Sequence, residues 1–425
     1  MDWPIGVLTA TFIVTIVLGW PIGFSMILSF IAYCLTSHTP LALLPIKLVG
    51  SLESFPLLAV PYFIMAASIM NRVGVTDKLF DFISALLGHI RGGLAHANVV
   101  NNMIFSGISG SAVADACGPG LITIRAMIDR GYSREFSAAT TAAASVMGPI
   151  IPPSIGMVIY AVMTGEPVKR LFAGGIIPGV LMGIAMMIYI GIVGKKKNLP
   201  KEPRADLRTL AKSLVKAILP LFAPVIIVGS ILTGMATPTE GGAIAVFYSL
   251  LLGALYRTLR VKDLIDCLMD TVVFSAVCLF LLSASSSYAW AITIKKLPEL
   301  VYTFMIGVTD SPTVAMLIVT ALLTFLGCIM SADAGLIITV PVLLKIAEGY
   351  QIDLIYMGVV AVVVLSIGVI TPPVGVSLYV ITAMVKAPFE TVAKACLPYL
   401  IPQYAIVFLV IFFPVLVMLI PNLIR

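Results

Sequence analysis

Two kinds of helix interruption occur in this chain, and each occurs twice at the same separation. The stretch Phe105–Asp115, FSGISGSAVAD, is followed by GPIIPPS at Gly148–Ser154, and 220 residues later stand FLGCIMSADAG (Phe325–Gly335) and GVITPPV (Gly368–Val374). At that offset Phe105, Gly107, Ser111, Ala112 and Ala114 meet Phe325, Gly327, Ser331, Ala332 and Ala334. Gly148, Ile150, Pro152, Pro153 and Pro178 meet Gly368, Ile370, Pro372, Pro373 and Pro398. A fold for this chain must hold four breaks, in two related pairs.

The surroundings of these breaks are apolar. The chain is 60% hydrophobic and 11% charged, against about 25% charged in an ordinary soluble domain. Apolar runs of about 20 residues recur from end to end, each long enough to cross a bilayer. The implied class is an all-α polytopic membrane protein embedded in the lipid bilayer. The start, MDWPIGVL, lacks the basic stretch of a signal peptide, so the first helix is expected to be retained. The net charge of +6 implies no nucleic-acid partner, because basic residues in such a chain mostly mark the loops on the cytoplasmic side. Six scattered cysteines and three isolated histidines form no metal or redox spacing.

Taken in order, the hydropathy predicts a first repeat over residues 1–193. It holds scaffold spans within 3–70, an interfacial helix at 76–89, a re-entrant hairpin at 95–127, a broken span at 134–164 and a span at 171–193. A basic linker, 194–216, separates it from a second repeat over 217–425. There the scaffold spans lie within 218–290, the interfacial helix at 294–306, the hairpin at 314–346, the broken span at 354–383 and the last span at 392–420. Each repeat then has five spans, one broken at Pro-Pro, and one re-entrant hairpin. An odd number of spans makes the two repeats insert with inverted topology. Placing the linker in the cytoplasm puts both termini on the other side. Of the 26 basic residues, only Lys47, Lys169, Arg170, Lys295, Lys296, Lys345 and Arg425 are then left outside, which is the expected charge bias. The first hairpin enters from the cytoplasm and the second from the opposite face.

Inverted repeats with interrupted helices at matching positions point to the binding site of a secondary transporter, because irregular backbone at membrane depth is tolerated only against a polar cavity or protein. Before each break the chain leaves free carbonyls, and after it free N–H groups. Carbonyls suit a desolvated hard cation such as Na⁺, and helix N-termini suit an anion. Two or more sodium ions are therefore expected: one at Ser106, Gly107, Ser109, Gly148 and Ile151, another at Gly327, Gly368 and Thr371. Ser111 and Ser331 are plausible N-caps of the outgoing arms, and with Pro153, Ser154, Asp333 and Pro373 they make up the expected substrate site. The competing explanation is close helix packing, for which Gly and Ser also serve. Asp115 and Asp333 are the most deeply placed acids, and intramembrane carboxylates are functional candidates by default. Asp333 is assigned to ion or substrate handling. Asp115 fits either function or structure, and Glu240 in ATPTEGG reads as a scaffold residue. No basic residue sits inside an expected span, and Lys345, near the outer end of a hairpin arm, is the nearest exception. An anionic substrate would therefore rely on helix N-termini, hydroxyls and sodium. There is no nucleotide-binding loop to suggest an ATP-driven pump, and no arrangement of catalytic residues to suggest an enzyme.

GGLAHANVVNNMIFSGISGSAVADA (Gly92–Ala116), GPIIPPSIGMVIY (Gly148–Tyr160) and TPPVGVSLYV (Thr371–Val380) resemble the large membrane subunit of tripartite ATP-independent periplasmic (TRAP) transporters, over essentially the whole chain. The resemblance implies an elevator-type, sodium-driven importer of organic acids such as C4-dicarboxylates or sialic acid, in a bacterial inner membrane. It also implies two partners: a small membrane subunit of about four helices and a periplasmic substrate-binding protein. The tips Ser106–Ser111 and Gly327–Asp333 with the Pro-Pro breaks would form the moving domain's sites, and the outer spans the scaffold. Lys345 departs from a proline in the common LLP pattern, and Ser366 from a frequent asparagine, so the substrate stays open. The alternative is a self-sufficient sodium/carboxylate symporter that needs no binding protein.

Overall fold

The computed structural model describes residues 3–424. Arg425, one of the basic residues assigned to the outer side, lies outside them. Every regular element among the described residues is a helix. The chain opens with α1 (Trp3–Val17), α2 (Ile22–Ser37) and α3 (Leu43–Gly50), and a 3-10 turn at Phe55–Leu58 leads into α4 (Ala59–Arg72). Next come α5 (Val75–Leu87), α6 (Gly93–Ser109), α7 (Ala112–Cys117), α8 (Pro119–Asp129), α9 (Arg134–Ser145), α10 (Ile155–Thr164) and α11 (Val168–Lys196). Beyond it lie α12 (Leu207–Leu232), α13 (Pro238–Tyr256), α14 (Val261–Ile294) and α15 (Leu297–Val308). The chain closes with α16 (Pro312–Ile329), α17 (Ala332–Tyr350), α18 (Leu354–Gly368), α19 (Val376–Val385), α20 (Phe389–Phe412) and α21 (Val415–Leu423). Seven of the described helices are long and apolar enough to cross a membrane. One is α16, whose 18 residues exceed the arm expected from residue 314.

Prolines explain where helices stop. The outgoing arm of the first hairpin is not continuous over 111–127: it breaks at Gly118, because Pro119 has no N–H for an intrahelical bond. The last stretch, expected as one span at 392–420, likewise splits at Pro414. The Val410 and Ile411 carbonyls at that break accept from the Tyr356 hydroxyl at 3.3 and 3.4 Å. The 194–216 segment is helical at both ends. α11 runs to Lys196, and α12 starts at Leu207, capped by Asp206 Oδ1 accepting from Thr209 N at 3.1 Å. Glu240 closes a capping box with Thr237, accepting from its backbone N at 2.7 Å.

Helices α1, α2 and α14 share a separate apolar core that includes Phe12, Phe30 and Tyr288, while α4 packs between α13 and α14. Helices α1, α2, α4, α13 and α14 are termed the outer group, and α6–α11 with α16–α21 the central group; the buried residues of α4 and α13 belong to the same main core as the central group. At the centre lie the two helices that enter the Pro-Pro breaks. Every residue of α18 from Ile355 to Gly368 is buried, as is every residue of α9 from Ser137 to Ser145. α18 is apolar on all sides, as a helix surrounded by protein must be. α9 is rich in Ala, Ser and Thr, which lets α6, α8 and α20 approach closely. Bonds between distant segments fix this centre. Thr140 Oγ1 and Tyr399 Oη lie 2.6 Å apart, Gln403 Nε2 donates to Ala143 O at 2.9 Å, and Tyr160 Oη donates to Leu354 O at 2.9 Å.

Candidate functional site

The first hairpin crosses the first break by backbone contact. Gly110 turns the chain with φ +68, which a side chain would resist. Its carbonyl accepts from Ile155 N, the first residue of α10, at 3.3 Å. A Cβ on Gly110 would stand 2.7 Å from Pro153 O, and one on Gly148 would stand 2.7 Å from Asp115 Oδ2 and 2.8 Å from the Ser111 carbonyl carbon. Ser111 caps α7, accepting from Ala114 N at 3.5 Å. Ser154 caps α10, accepting from Met157 N at 3.1 Å while donating to Pro149 O at 2.5 Å, so it ties the break across itself.

Asp115 is fully buried among these groups. Its Oδ1 accepts from the Ser109 hydroxyl, and Ser106 Oγ lies 3.2 Å from its Oδ2 and 2.6 Å from Asn102 O. The carboxyl group therefore links the end of α6 to α7 across the tip. Gly107 faces elsewhere: a Cβ there would stand 2.6 Å from Pro224 Cβ of α12. Ile151 packs against Gly179 of α11.

The second crossing uses two glycines. A Cβ on Gly368 would lie 2.5 Å from Gly327 Cα, and one on Gly327 would lie 2.9 Å from Gly368 Cα. Gly375 N donates to Cys328 O at 3.1 Å, and Ser331 caps α17, accepting from Ala334 N at 3.4 Å. The Thr371 hydroxyl is turned back onto Ile367 O at 2.9 Å. The two breaks differ in setting: Pro152 and Pro153 are buried, Pro372 is half-buried and Pro373 is exposed.

A cavity of about 340 Å³ opens beside the first tip. Ser109, Ser111, Ile155 and Asp333 line it from the central group, and Ser68, Asn71, Arg72 and Asp270 from α4 and α14. Asp333 is the second residue of α17 and lies close to α10, where a Cβ on Gly156 would be 3.5 Å from its Oδ1. The first turns of α10 and α17 thus both border this space, at Ile155 and Asp333. A second cavity, about 910 Å³, lies further along the same helices, between Val162–Met163 of α10, Leu282–Thr293 of α14 and Val340–Glu348 of α17.

Of the residues singled out from sequence, the smaller cavity brings together Ser109, Ser111 and Asp333, with Ser106 and Gly148 directly behind Asp115. Gly107, Ile151, Pro153, Ser154, Gly327, Ser331, Gly368, Thr371 and Pro373 are not among its lining residues. Arg72, left beyond the scaffold spans expected at 3–70, joins this site. It is the last residue of α4 and faces the cavity, its Nη1 donating to Asp266 Oδ2 at 3.2 Å and its Nη2 to Asp270 Oδ2 at 3.1 Å. The sequence held a signal for this cluster: Asp266 and Asp270 are four apart on one face of the charged first third of α14, which also carries Lys262 and Asp263.

Crossing-length apolar helices packed with interrupted ones define a polytopic helical membrane protein. Solved transporters share the fold. The *Alcanivorax borkumensis* YdaH transporter superposes with a TM-score of 0.60 at 15% identity, over 87% of this chain and 88% of that one. *Neisseria gonorrhoeae* MtrF, described among antimetabolite efflux pumps, does so with a TM-score of 0.62 at 13% identity, over 88% and 84%.

The chain belongs to the tripartite ATP-independent periplasmic transporter family, DctM component, whose family model matches residues 9–416. It is 38% identical over 407 residues to the sialic acid TRAP transporter large permease protein SiaM of *Vibrio cholerae*, covering 95% of each chain. It is 36% identical over 380 residues to the C4-dicarboxylate TRAP transporter large permease protein DctM of *Pseudomonas aeruginosa*, covering 89% of each. These relatives are permeases, not enzymes.

Proposed function

We propose that the chain is the transport subunit of a binding-protein-dependent TRAP importer that carries an organic acid anion across the inner membrane with at least two sodium ions. The observation that carries the reading is the smaller cavity, where the first turns of α10 and α17, at Ile155 and Asp333, and the Ser109–Ser111 turn share one lining with Arg72. N-termini and a guanidinium attract a carboxylate, while Asp333, the buried Asp115 and nearby serine hydroxyls attract sodium. The first sodium lies at the Ser106–Ser109 tip against Gly148, and the second where Gly327 meets Gly368. Sialic acid and C4-dicarboxylates are the candidate substrates, because relatives at similar identity bear those names.

The central group is the moving body and the outer group the scaffold of an elevator, and the two cavities are the spaces opened on its two sides. The halves are inverted repeats, with the 197–206 connection cytoplasmic and the termini periplasmic. A small four-helix membrane subunit covers part of the outer group, and a periplasmic binding protein delivers substrate. Reconstitution with labelled sialic acid or succinate tests this, with and without an inward sodium gradient and the cognate binding protein. Uptake that requires both is expected, and uptake indifferent to both overturns the reading.

A further inference from the structure

Arg72 is the one basic residue lining the smaller cavity among the described residues. Its setting is unlike that of a structural ion pair. Each terminal nitrogen makes one ionic contact, to a different acid: Nη1 to Asp266 and Nη2 to Asp270. A guanidinium locked into a carboxylate would instead use two parallel bonds to the same group. The remaining N–H donors have no protein acceptor among the described residues, and the side chain is one-third exposed. Asp270 is itself held from α4 by the Ser68 hydroxyl, which donates to its Oδ2 at 3.2 Å. That oxygen therefore keeps a partner if the guanidinium turns away.

Facing this cluster across the cavity are Asp333 on α17 and the Ser109–Ser111 turn. An anion entering that space meets two carboxylates, Asp270 and Asp333, and gains little unless a positive group is free to take it. We infer that Arg72 is the carboxylate-reading residue of the cavity, with Asp270 an internal stand-in that yields its place on the guanidinium to the substrate's carboxylate. The inference rests on the cavity being the transport site and adds the group that selects anionic substrates there. Asp266, outside the cavity lining, keeps hold of Nη1 and fixes the direction of the fork during the exchange.

Binding of radiolabelled sialic acid and of succinate to the purified membrane complex, in sodium and without binding protein, tests the assignment. The methyl ester of sialic acid serves as a competitor without the charge. Arg72→Gln should weaken binding of both acids about thirtyfold, the range of a lost charge-assisted hydrogen bond, and Arg72→Lys should recover only part of it. Asp270→Asn, which removes the competing carboxylate, should tighten binding several-fold. The methyl ester should displace sialic acid poorly from the wild type. Equal weakening by Arg72→Gln and Asp270→Asn would show a pair that merely joins α4 to α14 and would overturn the inference. If Arg72→Gln does not fold, weakened binding by Asp270→Asn overturns it on its own. Wild-type binding unaffected by Arg72→Gln defeats the Arg72 assignment alone. No binding of either acid by the wild type defeats the reading of the cavity and the assignment with it.

Discussion

The Ser109 hydroxyl donates to the buried Asp115 carboxylate across the tip of the first hairpin. That contact, with Ser106 on the other oxygen, puts a carboxyl group directly behind two hydroxyls assigned to sodium, where a bound cation would hold it ionised. Asp115→Asn keeps the shape and removes the charge. It should raise the sodium concentration for half-maximal uptake by at least about tenfold, since unit charges about 4 Å apart interact by roughly 4 kcal/mol in a partly screened protein setting. Sodium titration of uptake in liposomes measures it, and an unchanged sodium dependence would give Asp115 a purely structural role.

The Gly327–Gly368 crossing leaves no space for a side chain, because the nearest atoms are backbone. Gly368→Ala should destabilise the protein by about 1–3 kcal/mol, the usual cost of overpacking, and lower its melting temperature in detergent. Gly229→Ala is the control: nothing lies within 4 Å of a Cβ there, and a helical Gly→Ala change is neutral or slightly stabilising.

Tyr399 and Thr140 join segments 259 residues apart inside the core. Thr140 already has Phe136 O as an acceptor at 2.8 Å, so the tyrosine is the donor between them. Tyr399→Phe should cost about 1 kcal/mol. Thr140→Val should cost more, about 1–3 kcal/mol, because it strands a buried hydroxyl. Thermal unfolding of the two variants gives the order.

How much of this was legible beforehand depends on the range of the cause. Pro152–Pro153, Pro372–Pro373 and the Ser111 and Ser331 caps act within a few residues, so the breaks and the starts of α7 and α17 could be read directly, whereas Ser154 was assigned to the substrate site and its cap on α10 was missed. The amphipathic α5 was equally visible from its buried Val75, Leu79, Phe80 and Ile83. The breaks at Pro119 and Pro414 carried the same local signal but lay in stretches apolar enough to read as continuous. Arg72 was missed as a site residue for a different reason. It follows Met70-Asn71 at the edge of an apolar run, and its partners Asp266 and Asp270 stand nearly 200 residues away. Only packing of α4 on α14 turns a residue that reads as a loop marker into a cavity wall.

Asp333→Ala should abolish sodium-coupled uptake while leaving the melting temperature within about 2 °C of wild type. The carboxylate has no protein hydrogen bond among the described contacts and faces open space rather than packed core. Removing a group of that kind usually changes stability by less than about 0.5 kcal/mol. Wild-type uptake in this variant would remove Asp333 from the site.

The claim on which the account turns is that the smaller cavity holds the transported anion and its sodium. Ser111→Cys, in a background with the six native cysteines replaced, places a thiol on the half-buried cavity wall. Its rate of modification by a small methanethiosulfonate reagent should fall several-fold when sodium and sialic acid, or sodium and succinate, are added together. An unchanged rate with both ligands present, in a variant that still transports, would contradict it.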